Sequence, residues 1–139
     1  MASPRILIDT GAIYAFVTRT DPHHEAAKRF VREWLRQKGV FVLPDVVFAE
    51  TMTLLKARVG PEVALRVGRE LRQNAAYAWL VLGIEAERET WAVFQRFTDK
   101  DWSYTDCAVL ALARREKIPL VFAFDRHFLQ MPGIKRVPK

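Results

Sequence analysis

The sequence predicts an α/β sandwich built around a mainly parallel sheet. Short apolar runs that are typical of buried strands alternate with longer stretches of helical spacing, and glycine, proline or polar residues separate them. Such alternation is typical of parallel strands covered by helices. No repeat, low-complexity tract or Gly/Ser-rich linker divides the 139 residues, so we expect one domain spanning residues 1–139.

The first elements have clear boundary signals. The apolar run at residues 5–9 is interpreted as a buried strand that ends on an acid, Asp9. A helix is expected from Asp21, which can cap it, with Pro22 in its first turn and Gly39 at its end. Residues 40–43 form the next apolar run and the second expected strand.

Proline and glycine also divide the middle of the chain. A helix is expected to begin at Pro44 and to continue to about residue 59, and the pair Gly60-Pro61 separates it from another over 62–74. The run at 78–82 is interpreted as a strand, and a further helix is expected over 85–97.

The last third of the chain repeats the alternation. Ser103 or Thr105 caps a helix that is expected to continue to Glu116. Pro119 introduces an apolar run at residues 120–124, which again ends on an acid, Asp125. A final strand is expected over 134–137.

The composition indicates a soluble globular protein with a basic surface. Half of the residues are hydrophobic, 27% are charged, and no apolar run approaches the length of a membrane span. Because the first residues lack a signal-peptide pattern and the single cysteine, Cys107, has no internal disulfide partner, we expect a cytoplasmic protein without membrane association. The formal net charge of +6 favours polyanionic partners.

Two acids follow predicted strands. Asp9 and Asp125 each stand at the carboxyl end of an apolar run, which is the edge of a parallel sheet where ligands bind. Aspartate is also a common turn and capping residue, so each acid taken singly fits a local role equally well. Together they indicate a functional edge.

Two further acids share a helix face with apolar residues. Glu50 follows Val46 and Val47 at helical spacing, and Asp106 precedes Val109 and Leu110 in the same way. We therefore expect both carboxylates to face the core, where an unpaired charge is unfavourable. Structural salt bridges to arginine are the alternative, but neither stripe contains an arginine.

Four converging carboxylates favour a hard divalent cation. All-oxygen ligation suits Mg²⁺ or Mn²⁺, whereas the chain lacks the Cys/His spacing of a zinc site. A cation on an acidic shelf inside a basic protein suits hydrolysis of a phosphodiester, because it activates water and offsets the repulsion between the acids and the phosphate.

Four segments of the chain resemble the PIN-domain nucleases, and especially the VapC-type toxins of prokaryotic toxin–antitoxin systems. They are residues 6–10 (ILIDT), 44–50 (PDVVFAE), 103–106 (SYTD) and 121–125 (VFAFD). Each motif is short, but the ordered set with its spacing covers almost the whole chain and is specific.

This resemblance implies a three-layer α/β/α sandwich with a mainly parallel central sheet, dependence on Mg²⁺ or Mn²⁺, and endonucleolytic cleavage of RNA. It assigns the metal-binding and catalytic roles to Asp9, Glu50, Asp106 and Asp125. Glu50 is expected to complete the metal shell or to help deprotonate the attacking water.

Further roles are expected for residues beside these acids. The resemblance makes Thr10, Thr105 and Ser103 supporting hydroxyls. Arg126 and His127 are candidates for contacts with substrate phosphates, although Arg126 alternatively balances the acidic cluster. Trp102 is a candidate for stacking on a base.

The sequence also suggests protein partners. Residues 46–71 carry more apolar side chains than two exposed helices need, so we expect a homodimer through them, as in VapC-like toxins. An antitoxin segment is expected in a nearby groove.

Other functions remain open at this point. One is a nuclease with an RNA-processing or DNA-directed role and no toxin function, and another is a non-catalytic module that binds metal or RNA. A phosphatase or phospho-acceptor domain also places aspartate at strand ends, but here Asp9 is followed by Thr10-Gly11 rather than by a second acid.

Overall fold

A five-stranded parallel sheet forms the centre of the computed structural model, which describes residues 2–139. The strands are β1 (Arg5–Ile8), β2 (Val40–Pro44), β3 (Tyr77–Leu80), β4 (Leu120–Phe122) and β5 (Lys135–Val137). They lie in the order β3-β2-β1-β4-β5, and every pair is parallel. The prediction of a mainly parallel sheet is confirmed.

Helices cover both faces of this sheet. Successive strand residues point to opposite faces, yet Ile6, Leu7 and Ile8 of β1 are all at most 2% exposed. The helices are α1 (Thr10–Val17), α2 (His24–Arg36), α3 (Asp45–Arg58), α4 (Pro61–Gln73), α5 (Gly83–Arg96) and α6 (Tyr104–Glu116). A short 3₁₀ helix, Arg126–Gln130, follows β4. The three-layer α/β/α sandwich is therefore confirmed.

The first helix was missed by the sequence prediction, and the second begins later than expected. Helix α1 is short, and Thr10, Ala12, Ile13 and Ala15 are all buried, so it presents no amphipathic stripe. Asp21 does not cap α2. Its Oδ1 accepts a hydrogen bond of 2.8 Å from the backbone N of His23, one residue before the helix begins.

The strand order creates a crevice between β1 and β4. From β1 the chain extends the sheet through β2 to β3, and it then returns to the other side of β1 for β4 and β5. Ligands bind at such a switch point, beyond the carboxyl ends of the strands. The backbone N of Asp9 donates to Phe122 O at 3.0 Å, which ties the end of β1 to the end of β4.

Large aromatic side chains fill the space between the sheet and α2. The ring centroids of Phe41 and Phe122, two fully buried residues, are 5.8 Å apart, and Phe30 lies 4.6 Å from Phe122. A Cβ atom on Gly39 would lie only 2.3 Å from the Trp34 ring. Gly39 therefore allows the chain after α2 to pack closely against the Trp34 ring. It also follows the end of this helix, as the sequence indicated.

Cys107 is a free cysteine and is buried in α6. Among the helices of residues 2–139, none combines the length and apolar character needed to span a membrane.

Candidate metal centre

Asp9 lies at the end of β1, where the structure buries it almost completely. It caps α1, with its Oδ2 3.4 Å from the backbone N of Gly11, and it is only 5% exposed. Burial raises the pKa of Asp9 to about 7, and the negative charges of Asp106 and Glu50 add to the effect. A buried carboxylate with this environment gains from a cation.

Asp106 is held by the first turn of α6. Its Oδ2 accepts a hydrogen bond of 2.9 Å from the backbone N of Ser103, while Ser103 Oγ accepts one of 3.0 Å from the backbone N of Asp106. This reciprocal capping box fixes both the helix start and the carboxylate. Burial raises the pKa of Asp106, and the hydrogen bonds from Ser103 and His127 oppose that rise.

Asp125 and His127 complete the cluster from the 3₁₀ helix after β4. Asp125 caps this helix by accepting a hydrogen bond of 2.8 Å from the backbone N of His127. The His127 Nδ1 lies 3.0 Å from Asp106 Oδ2 and 3.2 Å from Asp125 Oδ1. Ligand atoms of Asp106, Asp125 and His127 all lie within 4.8 Å of one another, a spacing that a metal ion can bridge.

Glu50 does not lie where the sequence predicted. The side chains that α3 buries are Val47, Thr51 and Leu55, a stripe displaced by one residue from Glu50, which is exposed. The expectation of a core-facing carboxylate is therefore wrong. Its negative charge still raises the pKa of Asp9, so Glu50 lies close enough to act on that buried carboxylate.

Arginine salt bridges do not explain the four acids. Within residues 2–139, the only ion-pair partner of Asp106 and Asp125 is His127, and neither Asp9 nor Glu50 has one. Arg126 is exposed and pairs with none of them. The acids thus form a concentration of negative charge without an arginine to balance it.

The three hydroxyl groups expected to support the acids, those of Thr10, Ser103 and Thr105, differ in burial and in hydrogen bonding. Thr10 is 4% exposed, and its Oγ1 is buried without a hydrogen-bond partner, next to Asp9. Such an orphaned polar atom beside unpaired carboxylates fits a site that holds a further group. Thr105 is half-buried, and Ser103 is engaged in capping α6. The donor set therefore suits a divalent cation, with oxygen ligands and one imidazole nitrogen.

Trp102 is not available to stack on a base. It is 5% exposed, its ring centroid lies 4.7 Å from that of Phe97, and its Nε1 donates to Gln130 Oε1 at 3.0 Å. The expected role of Trp102 in substrate binding is contradicted by this burial. The residue instead anchors the segment before α6 to the end of the 3₁₀ helix.

A comparison with protein families matches residues 6–134 to the PIN domain. The chain belongs to the PIN domain family. The match extends from β1 into the segment before β5 and so includes all four acids and His127.

Curated relatives of this PIN domain include VapC ribonucleases. The chain is 27% identical over 123 residues to the 23S rRNA-specific endonuclease VapC20 of Mycobacterium tuberculosis, covering 88% of this chain and 91% of the relative. It is 30% identical over 132 residues to a VapC ribonuclease of Archaeoglobus fulgidus, covering 94% and 82%. The resemblance to VapC-type ribonucleases is confirmed.

Solved structures share the fold. The crystal structure of M. tuberculosis VapC20, a Sarcin-Ricin loop cleaving toxin, aligns with a TM-score of 0.83 at 25% identity, covering 91% of this chain and 95% of that one. VapBC2 of Rickettsia felis, bound to a promoter DNA fragment, aligns at 0.70 with 7% identity, covering 95% and 96%. The second likeness concerns the fold alone.

Proposed function

We propose that this PIN domain is a metal-dependent endoribonuclease that acts as the toxin of a toxin–antitoxin pair. The observation that carries the proposal is the grouping of Asp106, Asp125 and His127 within 4.8 Å, beside the crevice between β1 and β4 where Asp9 is buried at the end of β1. Within residues 2–139, no lysine or arginine lies at ion-pair distance from these three carboxylates. Residues 1–139 would act as one nuclease domain in the cytoplasm.

Mg²⁺ or Mn²⁺ is the proposed cofactor. Asp9, Asp106 and Asp125 would hold the ion, and Glu50 would complete its shell directly or through water. His127 Nδ1 faces the same space and adds a nitrogen donor, which favours Mn²⁺ over Mg²⁺. A bound divalent cation supplies a Lewis acid that polarises the scissile phosphate and promotes ionisation of water.

The chain's own residues would orient the reactants. Exposed Glu50 is free to accept a proton from water that approaches from the solvent side. The hydroxyl of half-buried Thr105 is available to donate to a phosphate oxygen. Thr10 Oγ1 is buried, so it would support the metal shell from within and not contact the substrate. Ser103 acts as a positioning residue, because it holds the Asp106 carboxylate through the capping box.

RNA is the proposed substrate. The net charge of +6 favours a polyanion, and Arg126 is exposed beside Asp125, where it can contact a phosphate. VapC20 is named as a 23S rRNA-specific endonuclease, which makes ribosomal RNA the first natural substrate to try.

The groove between α3 and α4 is the proposed site for an antitoxin segment. This cavity of about 730 Å³ is lined by apolar side chains that include Phe48, Met52 and Leu65. Arg69 and Arg72 also line it, so an apolar helix that carries acidic residues fits it. Several structural neighbours are VapBC complexes or other toxin–antitoxin complexes, which supports a protein partner.

A homodimer also remains a proposal. Val59 and Leu65, both within the expected region 46–71, are 44% and 58% exposed. Helix α5 offers a second apolar surface, on which Ile84 and Trp91 are 70% and 51% exposed. A monomer by light scattering at micromolar concentration would contradict the dimer.

The nuclease proposal is tested by incubating a mixed RNA pool with purified protein and Mg²⁺ or Mn²⁺. Matched reactions contain EDTA or the Asp9→Asn variant. Cleavage that both controls abolish supports the proposal. Metal binding without any cleavage would favour the non-catalytic module. Induced expression in a bacterial host tests the toxin role: we expect growth arrest with the wild type and none with Asp9→Asn.

A further inference from the structure

A basic cavity lies beside the candidate metal centre. It measures about 470 Å³. Three parts of the chain line it: His23 and Arg29 near the start of α2, Phe124 after β4, and Arg136 and Lys139 in and after β5. The proposed nuclease chemistry uses none of these residues.

The cavity adjoins the chain segment that carries Asp125. Phe124 directly precedes Asp125 in the chain, and Arg136 Nη1 donates to the Phe124 carbonyl oxygen at 2.8 Å. The His23 ring stacks on the Phe124 ring, with centroids 4.5 Å apart and an interplanar angle of 6°. Residues on the cavity wall are therefore one peptide unit away from a proposed metal ligand.

Within the described residues 2–139, no ion pair neutralises the basic side chains of the cavity. None of the residues that line it is acidic. On the same helix, Lys28 pairs with Glu25 and Arg36 pairs with Glu33, whereas Arg29 forms no ion pair within residues 2–139. The difference leaves the positive charge of Arg29 available to an external anion.

Arg136 has hydrogen-bonding capacity that the protein does not use. Its Nη1 is engaged with Phe124 O, but its Nε is buried without an acceptor. Because this Nε has almost no accessible surface, contact with a phosphate falls to the outer part of the guanidinium group, whose planar shape matches phosphate oxygens. Arg136 and Arg29 thus present donors from two sides of one cavity.

We propose that this cavity binds a backbone phosphate of the RNA strand on one side of the scissile bond. The inference rests on the proposed function, since it takes RNA as the substrate of the neighbouring acids. A phosphate held by Arg29 and Arg136 brings the strand against a cluster that would otherwise repel it. The basic cavity thereby extends the substrate site towards β5 and fixes the direction in which the strand leaves the acids.

The test measures binding of a short, fluorescently labelled single-stranded RNA in EDTA, so that no cleavage occurs. Arg29→Gln is compared with Arg5→Gln. Both variants remove one positive charge. Arg5, however, begins the central strand β1 and so lies at the amino ends of the strands, away from the acids at their carboxyl ends. We expect Arg29→Gln to raise the Kd about fivefold and to lower the slope of log K against log salt by about 0.7, the value of one phosphate contact on a single strand. Arg5→Gln should change both quantities much less.

Equal effects of the two substitutions, or no measurable binding of this RNA by the wild type, would overturn the inference. Arg29 is exposed, so its variant should keep the fold, and circular dichroism checks this. If it does not fold, Lys139→Gln replaces it with the same expected outcome. The metal-dependent cleavage assay decides the proposed function separately, because cleavage with an unaltered Arg29→Gln Kd would reject the cavity and keep the nuclease.

Discussion

The Nδ1 atom of His127 lies 3.0 Å from the Oδ2 atom of Asp106, although 21 residues separate them in the chain. The same nitrogen is 3.2 Å from Asp125 Oδ1. His127 thus faces the proposed metal position and not only the substrate. An imidazole nitrogen in this place either donates to the carboxylates or replaces that hydrogen bond by binding the ion.

Replacing His127 by alanine should weaken metal binding and reduce the preference for Mn²⁺. We expect the affinity for Mn²⁺ to fall about tenfold, and that for Mg²⁺ to fall less, because nitrogen ligation suits Mn²⁺ better. The free Mn²⁺ signal in electron paramagnetic resonance measures the affinity. His23→Ala is the matched control, since His23 lies outside the cluster. Unchanged Mn²⁺ affinity in His127→Ala would remove His127 from the site.

Replacing Asp9 by asparagine should stabilise the metal-free protein while abolishing cleavage. The Asp9 carboxylate is buried and lies near the charges of Asp106 and Glu50, which disfavours its ionised form. We expect the free energy of unfolding to rise by about 1–2 kcal/mol at pH 8 in EDTA. Urea denaturation measures it, and Asp99→Asn in an exposed loop is the control. A loss of stability would mean that the Asp9 charge is compensated.

The stability of the metal-free wild type should depend on pH with a defined sign. Since the pKa of Asp9 is about 7 in the folded state and near 3.8 when unfolded, the folded state keeps a proton that the unfolded state releases. The contribution of Asp9 to the free energy of unfolding is therefore largest below pH 4 and falls as the pH rises to about 7. The difference between wild type and Asp9→Asn, measured across this range in EDTA, isolates the effect. A difference that stays constant from pH 4 to pH 8 would contradict it.

Ser103→Ala should affect both stability and activity. The substitution removes the Oγ that accepts from the backbone N of Asp106, so the capping box is lost. We expect the free energy of unfolding to fall by about 1 kcal/mol, the usual value of an N-cap. Cleavage should also slow, because the Asp106 carboxylate loses part of its support. Ser103→Thr keeps the hydroxyl and should restore both; failure of this rescue would argue against the capping role.

Trp102→Phe should destabilise the protein without changing RNA affinity. The substitution removes the hydrogen bond to Gln130 and leaves a small gap against Phe97. We expect a loss of about 1–2 kcal/mol in the free energy of unfolding. Binding of RNA by the folded variant in EDTA, measured by fluorescence anisotropy, should match the wild type. A clear loss of affinity would restore the stacking role that the sequence suggested for Trp102.

Strand positions and the start of α6 were predictable because their signals are local. Apolar runs mark β1, β2, β3 and β4, and Ser103 marks the start of α6 in the sequence as in the structure. Asp9 and Asp125 follow strands β1 and β4, which are neighbours and parallel, so the expectation of a shared edge is confirmed. An acid that directly follows an apolar run is therefore enough to predict a carboxylate at the carboxyl edge of a parallel sheet.

Other features depend on packing that the sequence pattern does not contain. The buried face of α3 is set by neighbouring helices, and a rotation of one residue moved Glu50 from the expected core to the surface. Helix α1 is too short and too apolar to show a helical stripe. His127 lies beside Asp106 only because the 3₁₀ helix after β4 directs the His127 side chain towards the start of α6. The spacing of two residues between Asp125 and His127 was the one available signal.

The acids at the crevice between β1 and β4 are proposed to hydrolyse RNA with a divalent cation. The most direct measurement is the rate constant for cleavage of 23S rRNA at saturating Mn²⁺ by the wild type, Asp106→Asn and Asp99→Asn. Both variants lose one carboxylate charge, but only Asp106 lies in the cluster. We predict a decrease of more than about 100-fold for Asp106→Asn and none for Asp99→Asn. Equal rates in all three proteins, with cleavage that persists in EDTA, would contradict the claim.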